Sequence, residues 1–315
     1  MKRQIERAVL GILACLPASW MRHLLFLLRS TPRLTDRWGY HVRPIHYYDP
    51  LPDFHAITPA QTQARRVSAA IDFDLPAQIE LQRQISGLVG EELRALAAQP
   101  EPKGFPFVNP YFSALDAAVY YALLRHLKPA RVIEIGCGYS TRIADRALKR
   151  NREEGAPGRL VCIEPYPEPR LTEHRLEMEL IEKPVEEIPL SMFEGLAGND
   201  VLFIDSSHVA KFQSDVLREF LDILPVIQPG VWMHVHDIFF PHDYPAEWLV
   251  EKRVAFNEQY LLEAFLAFNP LFKPRCALRW LWLEHRKEMS AYWPAACQPA
   301  AEELGAASFW MKRSA

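Results

Sequence analysis

Short apolar runs bounded by turn residues recur through the middle of the chain. They lie at 132–135, 160–163, 201–204 and 231–235, and a further short candidate lies at 176–181. Runs of this length between turn signals are typical of strands that are buried on both faces of a parallel sheet. The clearest runs contain an acidic residue or end in one, so the carboxyl edge of the predicted sheet carries several carboxylates.

Segments with helical periodicity or composition separate these runs, and we predict helices at 77–98, 115–127, 142–150, 208–224 and 246–268. Two later apolar segments, 279–283 and 308–313, are predicted to be strands, the second of them antiparallel to the rest. Strands that alternate with helices predict an α/β fold with a mostly parallel, doubly wound sheet.

The first 100 residues have a different character. Arg22, His23 and Arg29 interrupt the apolar stretch that follows a run at 8–16, so nothing approaches the roughly 20 residues needed to span a bilayer. Two interpretations of residues 1–30 are open: a helix that packs on the protein or on a partner, and a basic amphipathic helix on a membrane surface. Five prolines between 31 and 60 predict an extended segment. We therefore expect a helical and proline-rich extension over 1–100 and a main domain over 101–315.

Composition narrows the class of protein. A chain of 315 residues with 49% hydrophobic residues can bury a large core. The net charge of −3 gives no electrostatic footprint for nucleic acid, so none is expected as a partner. The five cysteines are scattered and form no C-x-x-C pair, which favours a reducing compartment. We expect a cytoplasmic protein that is in contact with the inner face of a membrane if residues 1–30 bind lipid.

The most informative stretch is 131–141, RVIEIGCGYST. An apolar strand runs into a turn at Gly136 and Gly138, and Ser140 is suited to cap the helix that follows. Such a turn presents backbone N–H groups to a ligand. A dinucleotide fingerprint would require a third glycine where this chain has Thr141.

Two acidic residues indicate which ligand the turn takes. Glu134 precedes the turn and would attract a cationic or amine-bearing group. Glu164 ends the second strand, where a carboxylate can bind a ribose diol through two hydrogen bonds of roughly 1.5–3 kcal/mol each. Together they fit an adenosine ligand that carries an amino acid better than a pyrophosphate.

With these residues in place, a family resemblance can be stated. The segments VIEIGCGYST, LVCIEPYP, VLFIDSSH and GVWMHVHDIFFPHDYP resemble a class I S-adenosylmethionine-dependent methyltransferase, from about residue 105 to the C-terminus. The likeness is nearer to a poorly characterised bacterial branch. It implies a Rossmann-like sheet of seven strands with an antiparallel last strand. It also implies that S-adenosylmethionine is held by Glu134, Gly136, Gly138, Ser140, Glu164 and Asp205.

A second resemblance concerns the acceptor side. The sequence D-S-S-H, Asp205 to His208, is similar to the D-G-S-H of metal-dependent macrolide and sugar O-methyltransferases. It implies catalytic roles for Asp205 and for His208 as general base, and metal ligation by Asp205 and Asp237. We expect His208 to begin a helix whose positive end keeps the imidazole neutral. His236 stands where those enzymes have an acid, so Asp205, His236 and Asp237 are the candidate ligands for magnesium, manganese or zinc.

The predicted function is methyl transfer from S-adenosylmethionine to an oxygen of a sugar, polyketide or other small molecule. Asn257, Glu258 and Tyr260 are candidates for the acceptor pocket. The alternatives are a methyltransferase acting on nitrogen or a phenol, and a metal-binding, methyltransferase-like protein that is a membrane-peripheral partner without transfer activity. The expected partners are a small-molecule or glycan acceptor, a membrane surface at residues 1–30 and a second copy of the chain in a homo-oligomer.

Overall fold

The computed structural model describes residues 15–66, 69–99, 105–109, 111–168, 176–299 and 305–314. Most of the apolar run predicted at 8–16 lies outside these residues. The chain divides into two compact units, Met1–Ala56 and Ile57–Ala315, and each is described by itself. The predicted boundary at residue 100 stays a prediction.

The first unit contains helices α1 (Ala18–Ser30) and α2 (Pro32–Asp36). Residues 37–56 have no regular secondary structure, as their proline density predicts. Thr35 is the one buried residue between 15 and 56. Within the described part of the chain, no helix combines the length and the apolar character that crossing a bilayer requires.

The second unit begins with helices α3 (Pro59–Gln63), α4 (Leu75–Ala98) and α5 (Ala114–Leu127). Helix α5 buries 13 of its 14 residues, because it lies in the core beside the sheet. The guanidinium of Arg125 on α5 donates to Glu92 of α4 (3.0 Å) and to Glu154 (2.6 Å), which directly follows helix α6 (Tyr139–Glu153). This buried cation therefore joins the three helices.

Seven strands form one sheet: β1 (Arg131–Ile135), β2 (Arg159–Ile163), β3 (Glu179–Ile181), β4 (Val201–Ile204), β5 (Trp232–Val235), β6 (Phe272–Ala277) and β7 (Phe309–Arg313). The strand order is β3-β2-β1-β4-β5-β7-β6, and the first five strands are parallel. Strand β7 is inserted antiparallel between β5 and β6. The order reverses at β1, so the fold is the predicted doubly wound, mostly parallel α/β sheet.

The remaining helices connect and cover the strands. They are α7 (Ser191–Glu194), α8 (Asp215–Arg218), α9 (Leu224–Val226), α10 (Glu258–Leu266), α11 (Leu278–Glu284) and α12 (Arg286–Tyr292). Single turns of 3₁₀-helix lie at Val185–Glu187 and Ala295–Cys297, and π-helical turns lie at Glu219–Ile223 and Glu247–Glu251.

Three predictions about these elements were wrong. Residues 279–283 lie in helix α11, because leucine favours a helix and the spacing of Leu278, Leu281 and Trp282 places all three against the core. The helix predicted from 208 begins only at Asp215, since residues 205–214 form a loop. The helix predicted over 246–268 is interrupted at 252–257.

Candidate active site

Two cavities adjoin at the carboxyl edge of the parallel strands, where an open α/β sheet binds its ligands. The turn cavity, of about 290 Å³, is lined by Tyr111, Phe112, Gly136, Cys137, Gly138, Tyr139, Ser140, Arg142, Glu164, Tyr166, Glu168 and Asp205. The histidine cavity, of about 220 Å³, is lined by Asn109, Tyr111, Phe112, Ser113, Asp116, His236, Asp237, Phe239, Trp248, Gly305 and Ala307. Tyr111 and Phe112 border both cavities, so a ligand in one lies beside a ligand in the other.

The turn cavity depends on Gly136. Its φ is +82°, and a Cβ at this position would lie 1.8 Å from the backbone oxygen of Asp205. Only glycine allows β1 and β4 to approach this closely at their ends. Gly138 is the N-cap of α6, where its N–H donates to Thr141 Oγ1 (3.0 Å). The prediction that Ser140 caps this helix was wrong, although Ser140 does line the cavity.

Glu134 lies beneath the turn and does not line either cavity. Its carboxyl is fully buried and accepts hydrogen bonds from the Tyr120 hydroxyl (2.9 Å) and from Thr141 Oγ1 (2.6 Å). Burial raises the pKa of this carboxyl to about 7. Since Thr141 also bonds to Gly138, Glu134 supports the turn from below.

Glu164 lies at the mouth of the turn cavity. Its carboxylate accepts hydrogen bonds from the backbone N–H groups of Tyr166 (2.8 Å) and Cys137 (3.4 Å). It also lines a further cavity with Pro184, Val185 and Glu186. The predicted residues Gly136, Gly138, Ser140, Glu164 and Asp205 are therefore brought together around the turn cavity.

The acceptor-side residues form a closed cluster of alternating carboxylates and imidazoles. His208 Nε2 lies 3.3 Å from Asp205 Oδ1 and 3.5 Å from Asp237 Oδ2. His236 Nδ1 lies 3.5 Å from Asp205 Oδ1 and 3.5 Å from Asp237 Oδ1. Strand β5 ends at Val235 and Asp237 has φ +54°, so strand alternation does not separate His236 from Asp237.

A buried carboxylate stands behind each histidine. Glu258 Oε2 lies 2.8 Å from His208 Nδ1, and Asp116 Oδ2 lies 3.7 Å from His236 Nε2. Sequence reasoning placed Glu258 in the acceptor pocket and missed Asp116 altogether. Asp116 lies within an apolar helical pattern, where no motif distinguishes it. In the structure it also accepts hydrogen bonds from the N–H groups of Ala307 and Ser308, close to the start of β7.

The charges in this cluster depend on one another. Burial disfavours the charged imidazole of His208, but hydrogen bonds to Asp205 and Glu258 raise its pKa well above the usual range. Burial likewise opposes charge on His236, and the carboxylates of Asp205 and Asp237 raise its pKa. His208 lies in the loop 205–214 with φ +60° and does not begin a helix. The prediction that a helix end keeps its ring neutral was therefore wrong.

The carboxylates respond in opposite directions. Burial would raise the pKa of Asp205, but His236 and His208 together lower it strongly. Burial raises the pKa of Asp237 and outweighs the same two histidines. Asp205 is thus stabilised as a carboxylate anion. Asp237, which lines the histidine cavity, accepts a proton more readily than Asp205 does.

The chemistry of this cluster fits a divalent cation, with carboxylate oxygens and imidazole nitrogens as ligands. Neighbouring ligand atoms are 3.3–3.5 Å apart. Glu258 lies within hydrogen-bond distance of the second ring nitrogen of His208, as in many metal-bound histidines, whereas Asp116 lies 3.7 Å from that of His236. Of the predicted ligands, Asp205 and Asp237 each lie 3.5 Å from His236 Nδ1.

A tighter group of potential ligand atoms lies elsewhere. Within the described ranges, the group whose ligand atoms all lie within 4.8 Å of one another is Glu134, Cys137 and Cys162. Both oxygens of Glu134 already accept hydrogen bonds from Tyr120 and Thr141. Burial raises the pKa of the Cys137 thiol, which opposes the thiolate that a metal requires. These hydrogen bonds and the raised thiol pKa both disfavour metal ligation here, and the group supports the glycine turn.

The chain is similar to known proteins over this part of its length. A family model described as "Methyltransferase domain" matches residues 133–238. An uncharacterized protein of Archaeoglobus fulgidus is 30% identical over 167 residues, which cover 50% of this chain and 74% of that protein. The matched family region contains the glycine turn, Glu164 and the histidine cluster up to Asp237.

The solved structures that match part of the chain include three methyltransferases. An O-methyltransferase from Bacillus cereus in complex with SAH is 16% identical, with 75% of this chain and 100% of that chain covered and a TM-score of 0.38. The TDP-rhamnose 3'-O-methyltransferase CalS11 is 15% identical (62% and 92% covered, TM-score 0.35). The methyltransferase MycE in complex with Mg, SAH and mycinamycin VI is 14% identical (71% and 53% covered, TM-score 0.36).

These TM-scores are below 0.5, so the solved structures assign no activity or substrate to this chain. The assignment rests on the family model, since the archaeal relative is uncharacterized, and the strand order and glycine turn agree with it. Residues 133–238 of the chain therefore form a methyltransferase domain.

Proposed function

We propose that the protein transfers the methyl group of S-adenosylmethionine to a hydroxyl of a small molecule or glycan. The observation that supports this proposal is the cluster of Asp205, His208, His236 and Asp237 beside the turn cavity. A hydroxyl becomes a good nucleophile only when its proton is removed or weakened, and these buried groups can exchange a proton. A sugar or polyketide-like hydroxyl, as predicted from the sequence, is the acceptor class that this cluster suits.

In this proposal the donor occupies the turn cavity. The ribose diol bonds to Glu164, and the N–H groups of the glycine turn face the amino acid portion. The acceptor enters the histidine cavity, whose wall includes His236 and Asp237. Its oxygen attacks the sulfonium methyl in line, and the carbon–sulfur bond breaks to leave S-adenosylhomocysteine.

The hydroxyl proton passes to the cluster, with His208 as the base. The carboxylates around His208 raise its pKa, so the ring would accept a proton when a divalent cation on Asp205 and Asp237 offsets their charge. Glu258 fixes His208 Nδ1, so Nε2 faces the carboxylates of Asp205 and Asp237. The proton then leaves the acceptor through Asp237, the member of the cluster that both contacts His208 and lines the histidine cavity. Positioning of the two reactants contributes effective molarities of order 10⁵–10⁸ M, and a general base contributes a factor of roughly 10²–10⁴.

A divalent cation completes this proposal. Asp205, His236 and Asp237 would hold it, and when bound it would polarise the acceptor hydroxyl and lower its pKa. Dialysis against a chelator should then abolish methyl transfer, and manganese, magnesium or zinc should restore it. Full activity after chelation, with metal content checked by elemental analysis, would remove the cation from the proposal.

The experiment that tests the donor site is calorimetric titration with S-adenosylmethionine and S-adenosylhomocysteine, with and without added metal. Saturable binding is expected, followed by transfer of radiolabelled methyl groups to defined sugars and polyketide alcohols. Methylation of amines or phenols in preference to these alcohols would contradict the proposed acceptor class. Donor binding without product across all acceptors would instead favour a partner protein without transfer activity.

A further inference from the structure

Helix α1 of the first unit presents an unusually apolar surface to solvent. No residue of α1 is buried, and Trp20 and Phe26 are 70% and 58% exposed. Leu24, Leu25 and Leu27 are 44–48% exposed. Leucine and phenylalanine are usually buried in globular proteins, and a contiguous exposed apolar patch marks an interaction surface.

The apolar residues of α1 lie mainly on one side. At 3.6 residues per turn, Leu27, Trp20, Leu24, Leu28, Met21 and Leu25 cover an arc of about 160°. Arg22, His23, Arg29 and Ser30 cover the opposite arc, with Phe26 among them. An α-helix with a broad apolar face and cations on the other side has the composition of a helix that lies in a membrane interface.

The charge of the segment matches such a surface. Residues 15–35 contain three arginines, at 22, 29 and 33, and no aspartate or glutamate. Arg22 and Arg29 form no ion pair with any other described residue. Cations near an anionic bilayer are attracted to its surface, and salt screens this attraction.

The segment that follows α1 and α2 carries a second feature of membrane interfaces. Trp38, Tyr40, Tyr47 and Tyr48 are 59–79% exposed. Tryptophan and tyrosine are enriched at the level of lipid headgroups, because their rings are apolar at one end and polar at the other. Exposed aromatic rings at this density indicate that the segment contacts something other than water.

We propose that α1 binds the surface of a bilayer that contains anionic lipids, with its axis parallel to the membrane. The 13 residues of α1 extend about 20 Å, well short of the roughly 30 Å hydrocarbon core, so the helix lies along the surface. The leucines and Trp20 enter the acyl region, and Arg22 and Arg29 contact phosphates. This inference is independent of the proposed acceptor class.

The test uses the full chain and two kinds of vesicle, phosphatidylcholine alone and phosphatidylcholine with phosphatidylglycerol. The protein should float with the anionic vesicles, bind the neutral ones at least tenfold more weakly, and be released by high salt. The double variant Leu24→Glu/Leu25→Glu should lower binding at least tenfold. The control is Leu88→Glu/Leu283→Glu, which makes the same change at leucines that are 52% and 45% exposed on α4 and α11, and it should bind as the wild type does.

Binding of S-adenosylmethionine by both double variants verifies that the second unit is folded. The proposal is overturned if the protein does not bind anionic vesicles, or if the α1 variant binds them as well as its control. It is also overturned if light scattering shows a concentration-dependent dimer that only the α1 variant abolishes, because the apolar face would then be covered by a second copy of the chain.

Discussion

The two halves of the candidate active site are built in different ways. The turn cavity is shaped by backbone, at Gly136 and Gly138, and its functional groups come largely from two neighbouring strand ends. The histidine cavity and its cluster draw charged side chains from four separate places in the chain: Asp116, Asp205 to His208, His236 with Asp237, and Glu258. The first half therefore depends on local conformation, and the second depends on long-range packing of buried charge.

The largest effect is expected for Gly136→Ala, which tests the backbone half. A Cβ 1.8 Å from the Asp205 backbone oxygen cannot be accommodated without moving β1 or β4. Binding of S-adenosylmethionine should fall below detection by calorimetry. The matched control is Gly155→Ala, which has the same positive φ, +83°, but nothing within 4 Å of its Cβ. This control should lose only about 1–2 kcal/mol of unfolding free energy and retain binding.

The next prediction tests whether the histidine cluster affects the rate without affecting donor binding in the turn cavity. His208→Gln should reduce kcat by roughly 10²–10⁴ with donor affinity unchanged, because it removes the proposed base. Glu258→Gln keeps a hydrogen bond to His208 Nδ1 and should reduce kcat less. The control is His126→Gln, a change at an exposed histidine on α5.

Equal loss of donor binding and of kcat in the His208 variant would contradict the division of the site into two halves. A Glu258→Ala variant, which removes the hydrogen bond to His208 Nδ1, would contradict the role of Glu258 in fixing the imidazole if its kcat were the same as that of the wild type. Circular dichroism of each variant shows whether the fold is retained.

A smaller effect is expected at Glu164, the carboxylate of the backbone half. Glu164→Ala should weaken S-adenosylmethionine binding by about 1.5–3 kcal/mol, or roughly 10-fold to 150-fold, through loss of charge-assisted hydrogen bonds to the ribose. Glu164→Gln should weaken it less. The rate at saturating donor should remain close to that of the wild type, and a large fall in this rate would show that Glu164 acts in the chemical step.

The smallest effect on activity is expected at Glu134 beneath the turn, where the change is in stability. Its pKa is 4.5 when unfolded and about 7 when folded, so the folded state binds the proton more tightly. The contribution to the free energy of unfolding is complete below pH 4.5 and is lost as the pH rises to about 7, by up to about 1.4 kcal/mol per pH unit. Urea unfolding should show this loss in the wild type, and Glu134→Gln should remove it. The exposed control Glu91→Gln should retain the wild-type slope.

The contrast between local conformation at the turn cavity and long-range packing at the histidine cluster explains what could be predicted from sequence. The turn at Gly136 and the carboxylates at strand ends were predictable, because they follow short apolar runs in a fixed local pattern. The strand assigned to 279–283 was wrong, because short apolar runs do not separate helix from strand. Asp116 could not be predicted, since its partners His236 and Ala307 are more than 100 residues away in sequence.

The protonation of His208 shows the same difficulty. The expectation of a neutral ring came from its assumed place at the start of a helix, which is a local argument. The structure instead surrounds the ring with Asp205 from its own loop and with Asp237 and Glu258 from two distant segments. A long-range arrangement of charge overrides a local dipole when the partners lie within hydrogen-bond distance.

Asp205 belongs to both halves. Its backbone packs against Gly136 and its N–H donates to the Ile135 oxygen (2.8 Å), while its carboxylate contacts both histidines of the cluster. If Asp205 moves when the cofactor binds, its carboxylate moves relative to His208 and His236 and the acceptor pocket changes shape and charge. We therefore expect the two affinities to be thermodynamically coupled, by the same factor in either direction. Acceptor binding would then also change inhibition by S-adenosylhomocysteine, and the order in which the substrates add would be a property of this one residue.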